Sequence, residues 1–474
     1  MPRPRTATVA DLLTLLGNGE PIPAGRLVEA LGVTRPVLAR LVAEAGDQVL
    51  RIGRARATAY AARARSDAGD AWPLWRMRPD ATLEELGTLH LLRGERFQFV
   101  PAGFIPAGER PNLMRPVETV PGHYPGLPWF LDDLRPQGFL GRTLAHRHGA
   151  QLGVPDDLNR WQLRDILLAM TRTGGTGIGD LLPGRHAVDL ALAELDAPAD
   201  AVAAEDRGER YAQWAQAALA GEDVGSSPGG EQPKFTATVT TAGGRHAVLV
   251  KFAVADSGQA ARRWADLLAC EHIAGHCLRA AGLPAAASEL IDADGYTCLE
   301  VRRFDRTADV LGRRGFVSLL ALDAAFVGDG ARDWSLAAER LAALGWITAE
   351  TAVRVARLYW FGRLIGNSDM HPGNLGFHLV DAGPLALAPA YDMLPMSLAP
   401  SRTGAIRAAT PIQPGAPDRA GQVPHLAWAA EVAAHFWDQV ANSDRVQDPA
   451  LREVAAGNRD VVARFAKTFA SAHA

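Results

Sequence analysis

The sequence predicts an α+β multidomain chain: an N-terminal winged helix, a mixed middle region, a lobe of strands with one long helix, and a closing helical lobe. Three observations carry this reading. Residues 6–63 run helix, helix, helix, hairpin; residues 234–305 set strand-like runs around one amphipathic helix; beyond Asp309 the apolar spacing is mostly helical. With 474 residues, 48% hydrophobic and 22% charged, the chain has material for two to four cores and lacks the signature of disorder.

The first predicted domain spans residues 1–65. ATVADLLTLLG has helical spacing, and AGRLVEALGVTRPVLARLVAEAG sets two amphipathic helices around a Gly-Val-Thr turn, with Thr34 at the N-cap position. QVLRIGRARATAYAAR then offers two short strands around Gly53 and Arg54. This segment holds ten arginines against five acidic residues, a local charge of +5, whereas the whole chain is at −4. A winged helix would present the helix from Thr34 to Ala45 to the major groove, with Arg35 and Arg40 near phosphates or bases and Arg51, Arg54 and Arg56 on the wing. DNA is therefore an expected partner, with protein contact or dimerisation as the other use of such a module.

RARSDAGDAW reads as a linker, and residues 66–200 form a Pro- and Gly-rich region with few helical signals before WQLRDILLAM. Residues 201–305 give a helix, a Gly-rich loop, the strands FTATVTT and HAVLVKFAV, a long helix, and the strands ASELIDAD and YTCLEVRRFD. Residues 306–474 are helical apart from GNSDMHPGNLGF and LALAPAYDMLP. No apolar run approaches the roughly 18–20 residues of a membrane span, and the first residues lack a signal peptide's hydrophobic stretch, so a cytoplasmic protein without a membrane partner is expected. Cys270, Cys277 and Cys298 show no CxxC spacing and read as core residues.

Of the 49 basic residues only Lys234, Lys251 and Lys467 are lysine, and two of these fall within 18 residues. An ammonium suits phosphate as a compact point charge, unlike a planar guanidinium. Ahead of Lys234 lies the loop Ser226-Ser227-Pro228-Gly229-Gly230-Glu231-Gln232-Pro233, whose glycines would let the backbone approach a triphosphate. Lys251 sits in an apolar strand, where a charge requires an anionic partner; Glu271 on the next helix or a nucleotide phosphate would serve. Downstream, Asp369 and Asn374 share a polar loop with Asn367 and His371, and Asp392 follows an apolar run. Phosphoryl transfer needs a cation and backbone N–H groups around the phosphates, an acidic group for the hydroxyl, and oxygen ligands for Mg2+. The chain supplies these in the order of a protein-kinase-like bilobal fold.

These residues resemble the HipA family of Ser/Thr kinase toxins, in its variant with an N-terminal helix-turn-helix. The likeness covers about residues 85–440 and is concentrated between 226 and 395. It implies a HipA-type N-terminal subdomain over the mixed region, ATP and Mg2+ as cofactors, and autophosphorylation at Ser227 in the loop GGEQPKF. VLVKFA matches the family's ATP-contacting strand at Lys251, and LEVRRFDR its hinge, with Glu300, Val301 and Arg302 against adenine. GNSDMHPGN resembles the catalytic loop, which gives Asp369 as proton acceptor, Asn374 as a Mg2+ ligand and His371 beside the nucleotide; AYDMLP gives Asp392 as the second metal ligand. The loop departs from the family in carrying Ser368 before Asp369, where glycine is usual. By analogy the protein substrate is an aminoacyl-tRNA synthetase, and the fused N-terminal module takes the DNA-binding role of a separate antitoxin. Two other functions use the same parts: a nucleotide-sensing transcription regulator with an inactive kinase-like domain, and a small-molecule phosphotransferase.

Overall fold

The computed structural model describes residues 7–470 apart from 118–119, 174–176, 197–200, 221–231, 256–257, 310, 331, 402 and 407–409. The N-terminal module consists of α1 (Val9–Leu15), β1 (Ile22–Pro23), α2 (Ala24–Leu31), α3 (Arg35–Ala45), β2 (Val49–Ile52) and β3 (Ala59–Ala62), with an antiparallel sheet in the order β1-β3-β2. Helix α1 starts at a reciprocal cap between Thr8 and Asp11, and α2 stops where Gly32 turns left-handed at φ 63. Thr34 is extended at the N-cap of α3, yet its side chain makes no capping bond. The helices bury Leu12, Leu27, Leu38 and Leu41 against Val49 and Tyr60 of the sheet.

The segment expected as a linker is instead docked. Arg63 bridges to Leu92, Ala64 N donates to Leu91 O at 3.0 Å, and Leu91 N donates to Asp70 O at 2.9 Å. Open backbone groups at the end of one strand have found a neighbouring strand, which polar composition alone does not forbid. Gly19 seals the joint: at φ 75, a Cβ there would lie 2.0 Å from the Arg93 carbonyl oxygen.

The middle region is built on a five-stranded antiparallel sheet of β4 (Ala71–Met77), β5 (Leu83–Leu92), β6 (Arg96–Pro101), β7 (His123–Tyr124) and, beyond two helices, β8 (Leu181–Pro183), in the order β7-β6-β5-β4-β8. Three helices accompany it: α4 (Gly138–Leu152), α5 (Leu163–Thr173) and α6 (Arg185–Asp196). Next comes the upper lobe, with β9 (Ala201–Ala203), α7 (Arg207–Ala220), β10 (Lys234–Thr241), β11 (Gly244–Val254), α8 (Gln259–Ala280), β12 (Ser288–Ala293) and β13 (Tyr296–Arg302). Its sheet runs β12-β13-β11-β10-β9, antiparallel except for the β9–β10 pair. The lower lobe comprises a small sheet of β14 (Val317–Ser318), β15 (Gly376–His378) and β16 (Ala386–Leu387), with helices α9 (Leu319–Phe326), α10 (Trp334–Ala343), α11 (Ala349–Leu364), α12 (Val423–Asn442) and α13 (Pro449–Ala470).

One continuous core joins the middle sheet, α8 and the lower lobe, running from Leu74 and Phe97 through Leu278 to Trp437. At this seam Trp129 meets Trp346 edge-on at 5.3 Å, and Asn112 Nδ2 donates to the carbonyl oxygens of Val380 and Gly383, each at 3.0 Å. The chain leaving β13 is held as firmly: the buried Asp305 accepts from Arg303, Arg306 and the Gly179 N–H. The middle region thus packs against both lobes. Among the described residues no helix is long and apolar enough to cross a membrane.

Candidate active site

The site begins with a strand register. Lys234 on β10 stands opposite Lys251 on β11, which stands opposite Leu299 on β13, so all three side chains share one face of the sheet. Like charges placed directly across from each other repel, and the fold answers with carboxylates. Lys251, 5% exposed, donates from Nζ to Glu271 Oε1 and Oε2 at 2.7 and 2.8 Å and also to Asp392 Oδ1. Burial by itself would lower the Lys251 pKa; the Asp392 and Glu271 carboxylates outweigh burial and hold it above the usual lysine range. Burial raises Glu271 despite the opposing pull of Lys251, whereas at Asp392 the two lysines overcome burial and keep the carboxyl below its usual range.

Helix α8 places Glu271. Its buried face carries Leu267, Leu268, Ala274 and Leu278 alongside Glu271, and it is fixed to the lower lobe by Asp266, which accepts from the N–H groups of Gln447 and Asp448 at 2.6 and 3.0 Å. Asp392 is placed by the lower lobe and adopts φ 54, a left-handed conformation uncommon for a residue with a side chain. It does not cap the following turn, the ordinary use of an aspartate there, because its carboxylate is turned onto Lys251.

The polar loop follows the end of α11. Asp369 is exposed, and its N–H donates to Asn367 Oδ1 at 3.0 Å; Asn374 Nδ2 donates to Asp369 O at 2.9 Å. This bond fixes the Asn374 amide, whose Oδ1 is the atom that could take a cation. His371 is exposed and accepts at Nδ1 from the Gly373 N–H at 3.1 Å, which makes it a turn-forming group. Two residues tie this loop to the Asp392 segment without having been assigned that part from the sequence: Asn367, whose Nδ2 donates to Asp392 O at 3.0 Å, and Tyr391, whose hydroxyl donates to Gly373 O at 2.8 Å. The signal for Asn367 was its place in a loop more polar than a connector requires; Tyr391 carried none.

The three expected hinge residues divide between the two faces of β13. Glu300 and Arg302 alternate with Val301 along β13, so they face away from Lys251, towards α7. There the Glu300 carboxylate accepts from Tyr211 Oη at 2.6 Å and from Arg207 Nη1 at 3.2 Å. Arg302 is exposed, and its N–H is spent on Ala287 O. Of the three, only Val301 reaches the cleft, where it lines a small cavity with Glu271, Tyr391 and Asp392. Gln232, at the end of the Gly-rich loop, donates to Phe252 O. Ser227, Gly229, Gly230 and Glu231 lie outside the described residues.

In the N-terminal module Arg35, Arg40, Arg51, Arg54 and Arg56 are all exposed. Arg40 pairs with Glu44 one turn on, at 3.5 Å, and Arg54 lies 5.8 Å from the centroid of the Phe104 ring. Cys270, Cys277 and Cys298 are buried free thiols, and among the described residues no cluster of three or more His, Cys, Asp or Glu side chains is arranged to hold a metal ion.

Residues 226–467 match the HipA-like C-terminal domain, and residues 68–192 match the middle domain of YjjJ-like toxins. This is therefore a HipA-like protein, built of a two-lobed domain behind a toxin-type middle region. The chain is 36% identical to Toxin YjjJ of Escherichia coli (strain K12) over 451 residues, covering 94% of this chain and 96% of that one, and it belongs to this family of HipA-like toxins. Among solved structures it is similar to the complex of Shewanella oneidensis MR-1 HipA, HipB and operator DNA, with 13% identity, 70% of this chain and 86% of that chain covered, and a TM-score of 0.40. It is also similar to the Helicobacter pylori proinflammatory kinase CtkA, with 12% identity, 48% and 89% covered, and a TM-score of 0.32.

Proposed function

We propose that this chain is an ATP- and Mg2+-dependent Ser/Thr protein kinase of the HipA toxin type, autophosphorylating at Ser227 and carrying a fused DNA-binding winged helix. The observation that carries the reading is the buried Lys251–Glu271–Asp392 group beside the Asp369–Asn374 loop. A purely structural ion pair has no need of a second, half-buried carboxylate and a second lysine across the strand. The donor set suits a hard cation, since Asp392 and Asn374 offer oxygen. Bound Mg2+ would neutralise charge on the β- and γ-phosphates. Lys234 and Lys251 would hold phosphate oxygens, Val301 would border the base, and Asp369 would orient and accept the proton of a seryl or threonyl hydroxyl. Family membership supports a protein as the substrate, with an aminoacyl-tRNA synthetase as the first to test.

The N-terminal module supports a winged helix through its three helices, the β1-β3-β2 sheet order and the exposed arginines of α3 and the β2–β3 turn. The fused module would then supply the DNA binding that a separate antitoxin supplies in HipA systems. Binding to its own promoter that equals binding to random DNA across a salt titration would remove this part of the proposal.

A phosphosite map after incubation with Mg-ATP tests the kinase reading. Phosphate is expected on Ser227 in the wild type and absent in both Asp369→Asn and Ser227→Ala. Unlabelled protein that transfers phosphate to a metabolite would make the chain a small-molecule phosphotransferase.

A further inference from the structure

Asn367 occupies an unusual position between the two acidic segments of the cleft. It is 6% exposed, and its backbone N–H donates to Gly362 O at 2.9 Å, so it is anchored to the last turn of α11. Its side chain is used at both ends. Oδ1 accepts from the Asp369 N–H at 3.0 Å, and Nδ2 donates to the Asp392 carbonyl oxygen at 3.0 Å. One short amide thus fixes the backbone of the residue assigned to the hydroxyl and the backbone of the residue assigned to the metal.

The Asp392 end of this bridge is where the conformation is least ordinary. A φ of 54 lies in the left-handed region, which aspartate enters more readily than most residues with a Cβ, and bonds from two sides hold it there. The Asn367 donor fixes the carbonyl on one side of that residue while Lys251 holds the carboxylate on the other. Two neighbouring bonds, Tyr391 Oη to Gly373 O at 2.8 Å and Ser397 N–H to Gly366 O at 3.0 Å, already join the two segments. Loss of the Asn367 amide would therefore leave the loops together and disturb chiefly the orientation of Asp369 relative to Asp392.

We propose that Asn367 is a positioning residue, setting the geometry between the proton-accepting Asp369 and the metal-binding Asp392; this rests on the kinase reading above. The chemistry requires a side chain with one donor and one acceptor at short reach. Leucine has nearly the same shape and neither group. Glutamine has both groups on a longer stem.

The test compares wild type, Asn367→Leu and Asn367→Gln in the full chain, reading phosphate transfer, the KM for ATP, the Mg2+ concentration for half-maximal effect and thermal unfolding. For Asn367→Leu the expected result is a loss in kcat on the order of 10²-fold, from misplacement of about an ångström. It comes with an upward shift of the Mg2+ midpoint, a KM for ATP changed little, and partial recovery in Asn367→Gln. An unchanged Mg2+ midpoint, or losses that follow unfolding alone, would overturn the assignment. If the wild type transfers no phosphate the kinase reading falls by itself, and the Mg2+ midpoint for binding a fluorescent ATP analogue then decides the role of Asn367 by the same criterion. Absence of nucleotide binding in the wild type would overturn both.

Discussion

Lys234 and Lys251 face each other across β10 and β11, two of the three lysines of the chain brought into direct cross-strand register. Such a pair is tolerable only where anions gather, and Glu271 and Asp392 already provide two. On the proposed kinase reading, the two ammonium groups would meet a phosphate there.

Replacing Lys251 by methionine leaves Glu271 and Asp392 together without their cation. Removing one partner of a buried ionic group costs about 3–5 kcal/mol, so urea unfolding should register a loss of that order. The same variant should lose phosphate transfer. Unaltered stability would show that the two carboxylates are not dependent on Lys251.

Of Glu300, Val301 and Arg302, only Val301 looks into the cleft. Val301→Phe should raise the KM for ATP by on the order of tenfold or more, since overpacking a filled site costs about 1–3 kcal/mol. Glu300→Gln should change KM little, because its carboxylate serves Arg207 and Tyr211 on the far face. The reverse pattern would restore Glu300 as a nucleotide contact.

Much of the site was legible in the sequence because its parts are local. Asn374 lies five residues from Asp369, and Lys251 sits in an apolar strand that required a partner. The face of Glu300 was not legible, since it depends on how β13 registers with β11 rather than on the run LEVR itself. The middle sheet escaped for the same reason, its strands pairing across long separations. Helix α4 was hidden by Gly138, Gly141 and Gly149, which lower helix propensity; Gly141 is required by packing, as a Cβ there would lie 2.7 Å from the Pro136 carbonyl carbon.

Gly19→Ala should loosen the N-terminal module from the middle sheet. The added Cβ meets the Arg93 carbonyl and the backbone is at positive φ, so a cost of about 1–3 kcal/mol is expected. Limited proteolysis should then cut near residues 63–70, where the wild type is protected by its pairing with β5. Equal protection in both proteins would contradict the docking described here.

His123, buried on β7 beside Arg96 and Glu20, has its pKa lowered to about 4, first by burial and then by Arg96. A histidine depressed on folding withdraws stability as pH falls, because below about 6.5 the unfolded chain takes a proton that the folded chain refuses. The stability difference between His123→Gln and wild type should therefore shift in favour of the variant as pH drops from 6.5 to 4. A constant difference across that window would mean that His123 titrates normally.

The most direct test of the central claim is the number of phosphates per chain, by intact mass, after freshly purified wild type and Asp369→Asn are incubated with Mg-ATP. Added phosphate is expected on the wild type and none on the variant. Wild-type protein that binds ATP and neither gains phosphate nor passes it to any protein would contradict that claim, leaving a nucleotide-sensing regulator in place of a kinase.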